Sequence, residues 1–183
     1  MRHLLEEFMG LVAQKKVEIY NEFSFQHELG IFLRHHMPNQ KVQFERNVSF
    51  FTFKRMKQHF VKKEIDICVY SGQELFAAIE LKFPRNGQIP EQMYLFCKDI
   101  QFLEQLKRSG FRNAYFLVYC EDKRFYQGNT KGIYRYFRAG ETLTGEITKP
   151  TGQRDNKVLI SSSYQPRWQD VKGSGKFYLE TIV

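Results

Sequence analysis

Between residues 22 and 121 the spacing of apolar side chains switches from helical to alternating, returns to helical, and closes on a short buried run. Phe25, Leu29, Phe32, Leu33 and His36 form one stripe that Pro38 stops, so a helix is expected over residues 22 to 36. Val42, Phe44, Val48, Phe50 and Phe51 then read as one long, bulged strand through Phe53. Residues 64 to 70 and 75 to 83 read as hairpin partners across Ser71-Gly72-Gln73-Glu74. Pro90 opens a second helix with the buried stripe Met93, Phe96, Cys97, Ile100 and Leu103, which Gly110 ends; residues 114 to 120 are one more buried strand. Helix, three strands, helix, strand folds as an α/β mixed sheet with helices packed against it.

Outside this stretch, Leu4, Leu5, Phe8, Met9 and Val12 predict a helix over residues 2 to 13. Beyond Glu121, residues 132 to 138, 141 to 148, 157 to 163 and 176 to 183 read as short strands between Gly-containing turns. No Ser/Gly/Pro-rich tract divides the 183 residues, which are expected to form a single domain, with 22 to 121 as its core and 122 to 183 as a β-rich extension. Cys68, Cys97 and Cys120 sit among apolar neighbours, as small buried side chains do; neither a disulfide framework nor a zinc site is expected. No apolar run is long enough for a membrane span or a secretory signal, so a soluble, cytoplasmic protein without a membrane partner is expected.

Alternation along residues 64 to 70 sends Ile65, Ile67 and Val69 to one face and Asp66 to the other; along residues 75 to 83 it separates Ile79, Leu81 and Phe83 from Glu80 and Lys82. Neighbouring strands lie about 4.8 Å apart, so a compatible register brings Asp66, Glu80 and Lys82 to one patch. The same alternation puts Phe76, Ala78 and Cys68 on that face, which is therefore apolar for most of its length and charged at its end. Two carboxylates in a partly dehydrated place repel each other, and a divalent cation offsets both the repulsion and the burial. Carboxylate oxygens suit Mg²⁺, with Mn²⁺ as a substitute, and Lys82 beside it can orient or deprotonate a water or stabilise charge on a phosphate.

Asp66 followed by Glu80-Leu81-Lys82 at the end of the next strand, within the element order above, resembles the PD-(D/E)XK nuclease superfamily, the restriction-endonuclease-like enzymes. The resemblance spans residues 22 to 121 and implies an αβββαβ core, with Asp66 and Glu80 binding metal and Lys82 as the catalytic lysine. Ile65 stands where the superfamily's name has proline. Many members carry an acidic residue on the first core helix. Glu28, at the margin of the Phe25, Leu29 and Phe32 stripe, is the candidate here, against the alternative of an ordinary surface glutamate. Gln92, near the start of the later helix, is a candidate polar residue of the site.

A formal charge of +8 favours an anionic partner. Lys54, Arg55, Lys57, Lys62 and Lys63 fall in one ten-residue connection that either tracks a phosphate backbone or is a solvated hairpin tip; Arg85 follows the Glu-x-Lys strand and could hold a phosphate. Lys123, Arg124, Lys131, Arg135 and Arg138 are a second such set with the same two readings. Trp168 is read as a loop anchor, with base stacking as the alternative, and His35-His36 as a helix end. Walker A, Gly-x-Gly-x-x-Gly and Gly-x-Ser-x-Gly motifs are missing, which removes support for nucleotide-driven, dinucleotide and serine-hydrolase chemistry. The resemblance implies a Mg²⁺-dependent endonuclease acting on DNA; a non-catalytic nucleic-acid-binding or protein-interaction module on the same scaffold is the alternative, and a homodimer, suited to cutting two strands, stays open.

Overall fold

The computed structural model describes residues 1–51, 53, 59–85, 87–152 and 155–183. Helix α1 spans Arg2–Ala13 and α2 spans Glu22–His36, both with the bounds their apolar stripes set. Asn21 caps α2: its side chain accepts from the Ser24 N–H at 2.7 Å while the Ser24 hydroxyl takes the Asn21 N–H at 3.0 Å, which fixes where the first turn, and Glu22 in it, begins. Strands β1 (Lys41–Asn47), β2 (Glu64–Ser71) and β3 (Glu74–Lys82) follow, then α3 (Ile89–Ser109) and β4 (Asn113–Cys120). The chain continues with α4 (Tyr134–Arg138), β5 (Leu143–Thr148), β6 (Lys157–Tyr164), β7 (Trp168–Val171) and β8 (Gly175–Thr181).

The fold is α/β. A six-stranded mixed sheet has the order β1-β2-β3-β4-β8-β7, in which β3 and β4 are parallel and every other pair is antiparallel. The parallel step forces a long crossover between β3 and β4, and α3 makes it. The alternation of β4 divides two cores: Ala114, Phe116, Val118 and Cys120 pack toward α3, α4 and the β5–β6 hairpin, whereas Tyr115, Leu117 and Tyr119 pack toward α1 and α2. Gly30 lets α2 lie close to the sheet, since a Cβ there would sit 2.0 Å from the Phe44 ring. Cys68, Cys97 and Cys120 are buried and free. Among the described residues no helix is long and apolar enough to cross a membrane.

Several expectations are corrected. The strand expected through Phe53 ends at Asn47, whose side chain accepts from the Ser49 N–H at 3.0 Å and starts a 3-10 turn over Val48–Phe50. Phe76 leaves the charged face because it is the extra residue of a bulge: Val69 pairs with Ala77 and Tyr70 with Leu75, so Phe76 turns toward the α1–α2 core. Ile65 also changes side, joining the α3-side core next to the point where Glu45 of β1 takes a φ of 47°. The segment expected as a strand over residues 132 to 138 contains helix α4, because the residues it buries, Ile133, Tyr136 and Phe137, recur at helical and not alternating spacing. The expected β-rich extension joins the central sheet, where β8 pairs along β4 and carries β7 as the sheet edge. Trp168, in β7, is an anchor: its Nε1 donates to the Phe137 carbonyl at 2.7 Å and its ring packs on Tyr126 and Tyr178.

Candidate functional site

The carboxyl end of β3, the start of β2 and the first turns of α2 border one cleft of about 610 Å³, lined among others by Asp66, Lys82, Lys62, Glu22 and Gln26. The backbone ladder between β2 and β3 stops at Ile67–Ile79. Past it, side chains bridge the strands: Glu80 Oε1 accepts the Asp66 N–H at 3.2 Å, and Asp66 Oδ2 accepts the Leu81 N–H at 2.7 Å. Gln26 of α2 donates to the Asp66 carbonyl and to the Glu45 carboxylate, each at 2.7 Å. Asp66, Glu80 and Lys82 therefore come together, as their alternation requires.

Two further residues complete the cluster. Asp99 of α3 is 3 % exposed, with Oδ1 2.9 Å from the Lys62 ammonium and Oδ2 3.4 Å from that of Lys82. The second distance is an ion pair without hydrogen-bond alignment, so Oδ2 is buried with no donor. Lys62 also binds Glu80 Oε2 and lies 3.9 Å from Asp66 Oδ1, which places its ammonium among three carboxylates. Lys82 Nζ donates to the Leu81 carbonyl at 2.9 Å and sits 3.3 Å from Glu22 Oε1; Glu22 Oε2 in turn accepts the Phe83 N–H at 3.1 Å.

Burial governs the charges. It pushes Asp66 up to about 6, against the pull of Lys62 and Lys82. Burial, then the neighbouring Asp66 charge, holds the fully buried Glu80 carboxyl well above the usual range, with Lys62 opposing. Burial alone would lower both lysines, but the surrounding carboxylates outweigh it and raise them: Glu80, Asp99 and Asp66 at Lys62, and Asp99, Asp66 and Glu22 at Lys82. Both amines hold their protons firmly.

Other expected site residues lie elsewhere. Glu28 is not in the cluster; its carboxylate is 3.5 Å from His27 Nδ1, beside a separate groove formed by Tyr20, Phe23 and Phe44. Helical geometry explains the correction: Glu22, three residues before Phe25 and seven before Leu29, is on the sheet-facing stripe, and Glu28 is beside it. Gln92 is not among the cleft-lining residues; its amide lies against Gly87, where a Cβ would be 3.1 Å away. Lys62 is drawn into the cluster and does not stand in solvent, while Lys63 is exposed and lines the cleft with Lys98. The Arg85 guanidinium donates to the Tyr20 carbonyl. Lys54, Arg55 and Lys57 lie outside the described residues. In the second basic set Arg124 pairs with Asp122 and Arg138 donates to the carbonyls of Arg124 and Asn129. Asp99 had a legible signal, since it falls three residues after Phe96 and four before Leu103, a charge on a buried stripe.

Carboxylate oxygens, one of them buried without a donor, have the chemistry that a hard divalent cation requires. Among the described residues no three His, Cys, Asp or Glu side chains are arranged to hold a metal ion, and the position between the carboxylates belongs to Lys62. No family model matches this chain, and neither a curated protein nor a solved structure matches it.

Proposed function

We propose that this chain is a Mg²⁺-dependent endonuclease that hydrolyses phosphodiester bonds of DNA on a restriction-endonuclease-like core. The observation that carries the reading is the meeting of Asp66, Glu80 and Lys82 at the ends of adjacent strands, Asp66 and Lys82 lining one cleft and Glu80 buried directly behind it, with the element order that the sequence resemblance requires. Asp66 and Glu80 would hold the ion, with Mn²⁺ as a substitute. When bound, such an ion neutralises phosphate charge and lowers the pKa of a water.

The chain's own groups do the rest. Lys82, protonated and donating to the Leu81 carbonyl and the Glu22 carboxylate, has one hydrogen left for a phosphate oxygen and stabilises charge developing there. The carboxylates that raise its pKa argue against Lys82 as the base that deprotonates water. Lys63 and Lys98 on the cleft wall attract the backbone phosphates to either side.

A second reading has one specific observation in its favour: with Lys62 between the carboxylates, the cluster is charge-paired as it stands, as in a scaffold that binds nucleic acid without cutting it. Labelled duplex, branched, flapped and single-stranded substrates incubated with Mg²⁺ or Mn²⁺ separate the two. Cleavage that disappears in folded Asp66→Asn, Glu80→Gln and Lys82→Met supports the endonuclease. Salt-sensitive binding that survives these substitutions, with no cut product under any condition, supports the binding module.

A further inference from the structure

We propose that Tyr20 and Phe23 form a stacking platform for one unpaired nucleobase beside the cleft, with Arg85 taking the phosphate of that nucleotide, so that the strand this chain recognises is single-stranded at that point. The proposal deepens the endonuclease reading by naming a substrate class, and rests on it for the presence of a nucleic-acid strand in the cleft; base stacking itself requires no cleavage.

Two aromatic rings stand in solvent at neighbouring positions, Tyr20 being 60 % and Phe23 76 % exposed. Their backbone is nonetheless held. The Tyr20 and Asn21 N–H groups both donate to the Ser24 hydroxyl at 3.0 Å, the Asn21 side chain accepts the Ser24 N–H, and the Tyr20 carbonyl accepts from Arg85. Ile19 and Phe25 on either side are buried, so the exposure follows from the direction of these two side chains and not from loose chain. Rigid aromatic faces presented to water on a fixed backbone suit a stacking partner, because little ordering entropy is lost when it binds.

Phe23 is the ridge between two depressions. It lines the cleft that Asp66 and Lys82 also line, and with Tyr20 and Phe44 it lines a groove of about 450 Å³ on its other side. A strand whose phosphate lies in the cleft therefore brings its next base to the Phe23 ring. The groove suits a base better than an apolar peptide side chain. Its rings offer flat apolar surface, while His27, with 67 % of its side chain exposed, and Glu28 offer a donor and an acceptor to base edges; an apolar side chain would cover these groups unpaired. Charge completes the match. Among the described residues the exposed Arg85 pairs with no carboxylate, and its bond to the Tyr20 carbonyl leaves the rest of its donor fork for a phosphate. Aromatic faces flanked by an unpaired cation are the means by which single strands are held without sequence reading. In an intact duplex the base faces are closed by stacking on one another, so a duplex gains nothing from the platform.

The test uses the full-length chain in chelator, with a single-stranded oligonucleotide carrying 2-aminopurine and the blunt duplex of the same sequence as probes. Anisotropy gives the affinity, and 2-aminopurine emission, which falls when the base stacks on a ring, reports the platform directly. Phe23→Ala and Tyr20→Ala, both at exposed positions, should each weaken single-strand binding about 5- to 100-fold and abolish the fall in emission, with duplex binding and the thermal unfolding transition unchanged. Phe23→Trp should bind the single strand at least as well as wild type. Arg85→Ala should reduce the slope of log K against log salt on the single strand by about 0.7, and an unchanged slope overturns the phosphate contact. Single-strand binding and emission unaffected by Phe23→Ala, or an equal loss on the duplex, overturns the platform. A wild-type dimer that dissociates in Phe23→Ala while single-strand binding is unchanged overturns it too, and gives the groove to a second copy of the chain. With Mg²⁺ added, stacking without cleavage of any substrate keeps the platform and removes the endonuclease, whereas cleavage by Phe23→Ala at the wild-type rate and single-strand affinity keeps the endonuclease and removes the platform.

Discussion

Asp66 and Glu80 each hold the other's strand: the Glu80 carboxylate takes the Asp66 N–H at 3.2 Å, and the Asp66 carboxylate takes the N–H of Leu81, the residue after Glu80, at 2.7 Å. The two strands have parted at this point, with Ile67–Ile79 as their last backbone pair, and the acidic side chains close the gap that the ladder leaves. Each carboxylate thus satisfies a backbone donor and still directs an oxygen toward the Lys62 ammonium. A structural brace and a counter-ion for Lys62 are combined in one group. Truncation to alanine would confuse the two roles, which is why isosteric amides are the informative substitutions.

Asp66→Asn should stabilise the protein in a pH-dependent way. Burial raises Asp66 from an ordinary value of 3.8 to about 6. The folded state therefore binds the proton more tightly than the unfolded chain, so stability is full below about pH 4, falls as pH rises toward about 6, and the penalty is complete above that. Asparagine keeps an oxygen for the Leu81 N–H and carries no charge. In chelator at about pH 7.5, the variant should exceed wild type by about 1–3 kcal/mol in denaturant unfolding, and the advantage should shrink toward zero near pH 4. A variant less stable than wild type at the higher pH would refute the account.

In the endonuclease reading, Lys82 acts through its charge and not through its lone pair. Lys82→Met should lower kcat about 10²–10³-fold, in the range found for losing one preorganised donor. Lys82→Arg, which keeps the charge but cannot act as a base, should recover part of that loss. Complete inactivity of a folded Lys82→Arg, together with a rate in wild type that climbs steadily into alkaline pH, would point to the base role instead.

The sequence disclosed the fold where one local period persisted and lost it where the decisive contact was distant. Helices α1 and α2 carry unbroken apolar stripes, and their ends coincide with the expected ones; β2 and β3 follow from alternation, and with them Asp66, Glu80 and Lys82. Tyr134-Arg135-Tyr136 alternates like a strand, yet Ile133, Tyr136 and Phe137 are what the core receives, so a five-residue helix wins over local pattern. The pairing of β8 with β4 joins residues some sixty apart and leaves no mark in either segment. Lys62 was hidden for a related reason: it precedes β2 in irregular chain, where no periodicity says which way a side chain points. Asp99 was readable on a helical wheel, but a single acid among Met93, Phe96, Ile100 and Leu103 gains meaning only once β3 is known to end beneath it.

Phosphate attraction by the cleft wall is measurable without cleavage. Lys63 and Lys98 line the cleft. If each contacts one backbone phosphate, Lys63→Ala and Lys98→Ala should each reduce the slope of log K against log salt by about 0.9 on duplex DNA, and weaken binding equally across sequences. Chelator-treated protein and fluorescence anisotropy over a range of salt concentrations give the slopes. Slopes unchanged by both substitutions would show that the nucleic acid, if bound, approaches another face.

Glu104 supports the site from behind. It is 1 % exposed on α3, accepts the N–H groups of Ser161 and Ser162 at 2.9 and 2.8 Å and the Tyr164 hydroxyl at 3.0 Å, and so fastens β6 to the helix that bears Asp99. Three donors converge on one buried carboxylate, an arrangement that neither alanine nor glutamine reproduces: alanine offers no acceptor, and glutamine turns an N–H₂ toward a backbone N–H. Glu104→Ala should cost about 3–5 kcal/mol in denaturant unfolding, the cost of breaking a buried charged network by removing one member. Hydrogen exchange at the Ser161 and Ser162 amides should quicken more than at β2 and β3, because the hairpin loosens before the sheet does. A loss below about 1 kcal/mol with those amides still protected would mean that the β5–β6 hairpin is held by the apolar packing of Leu143, Ile147, Val158 and Ile160 alone.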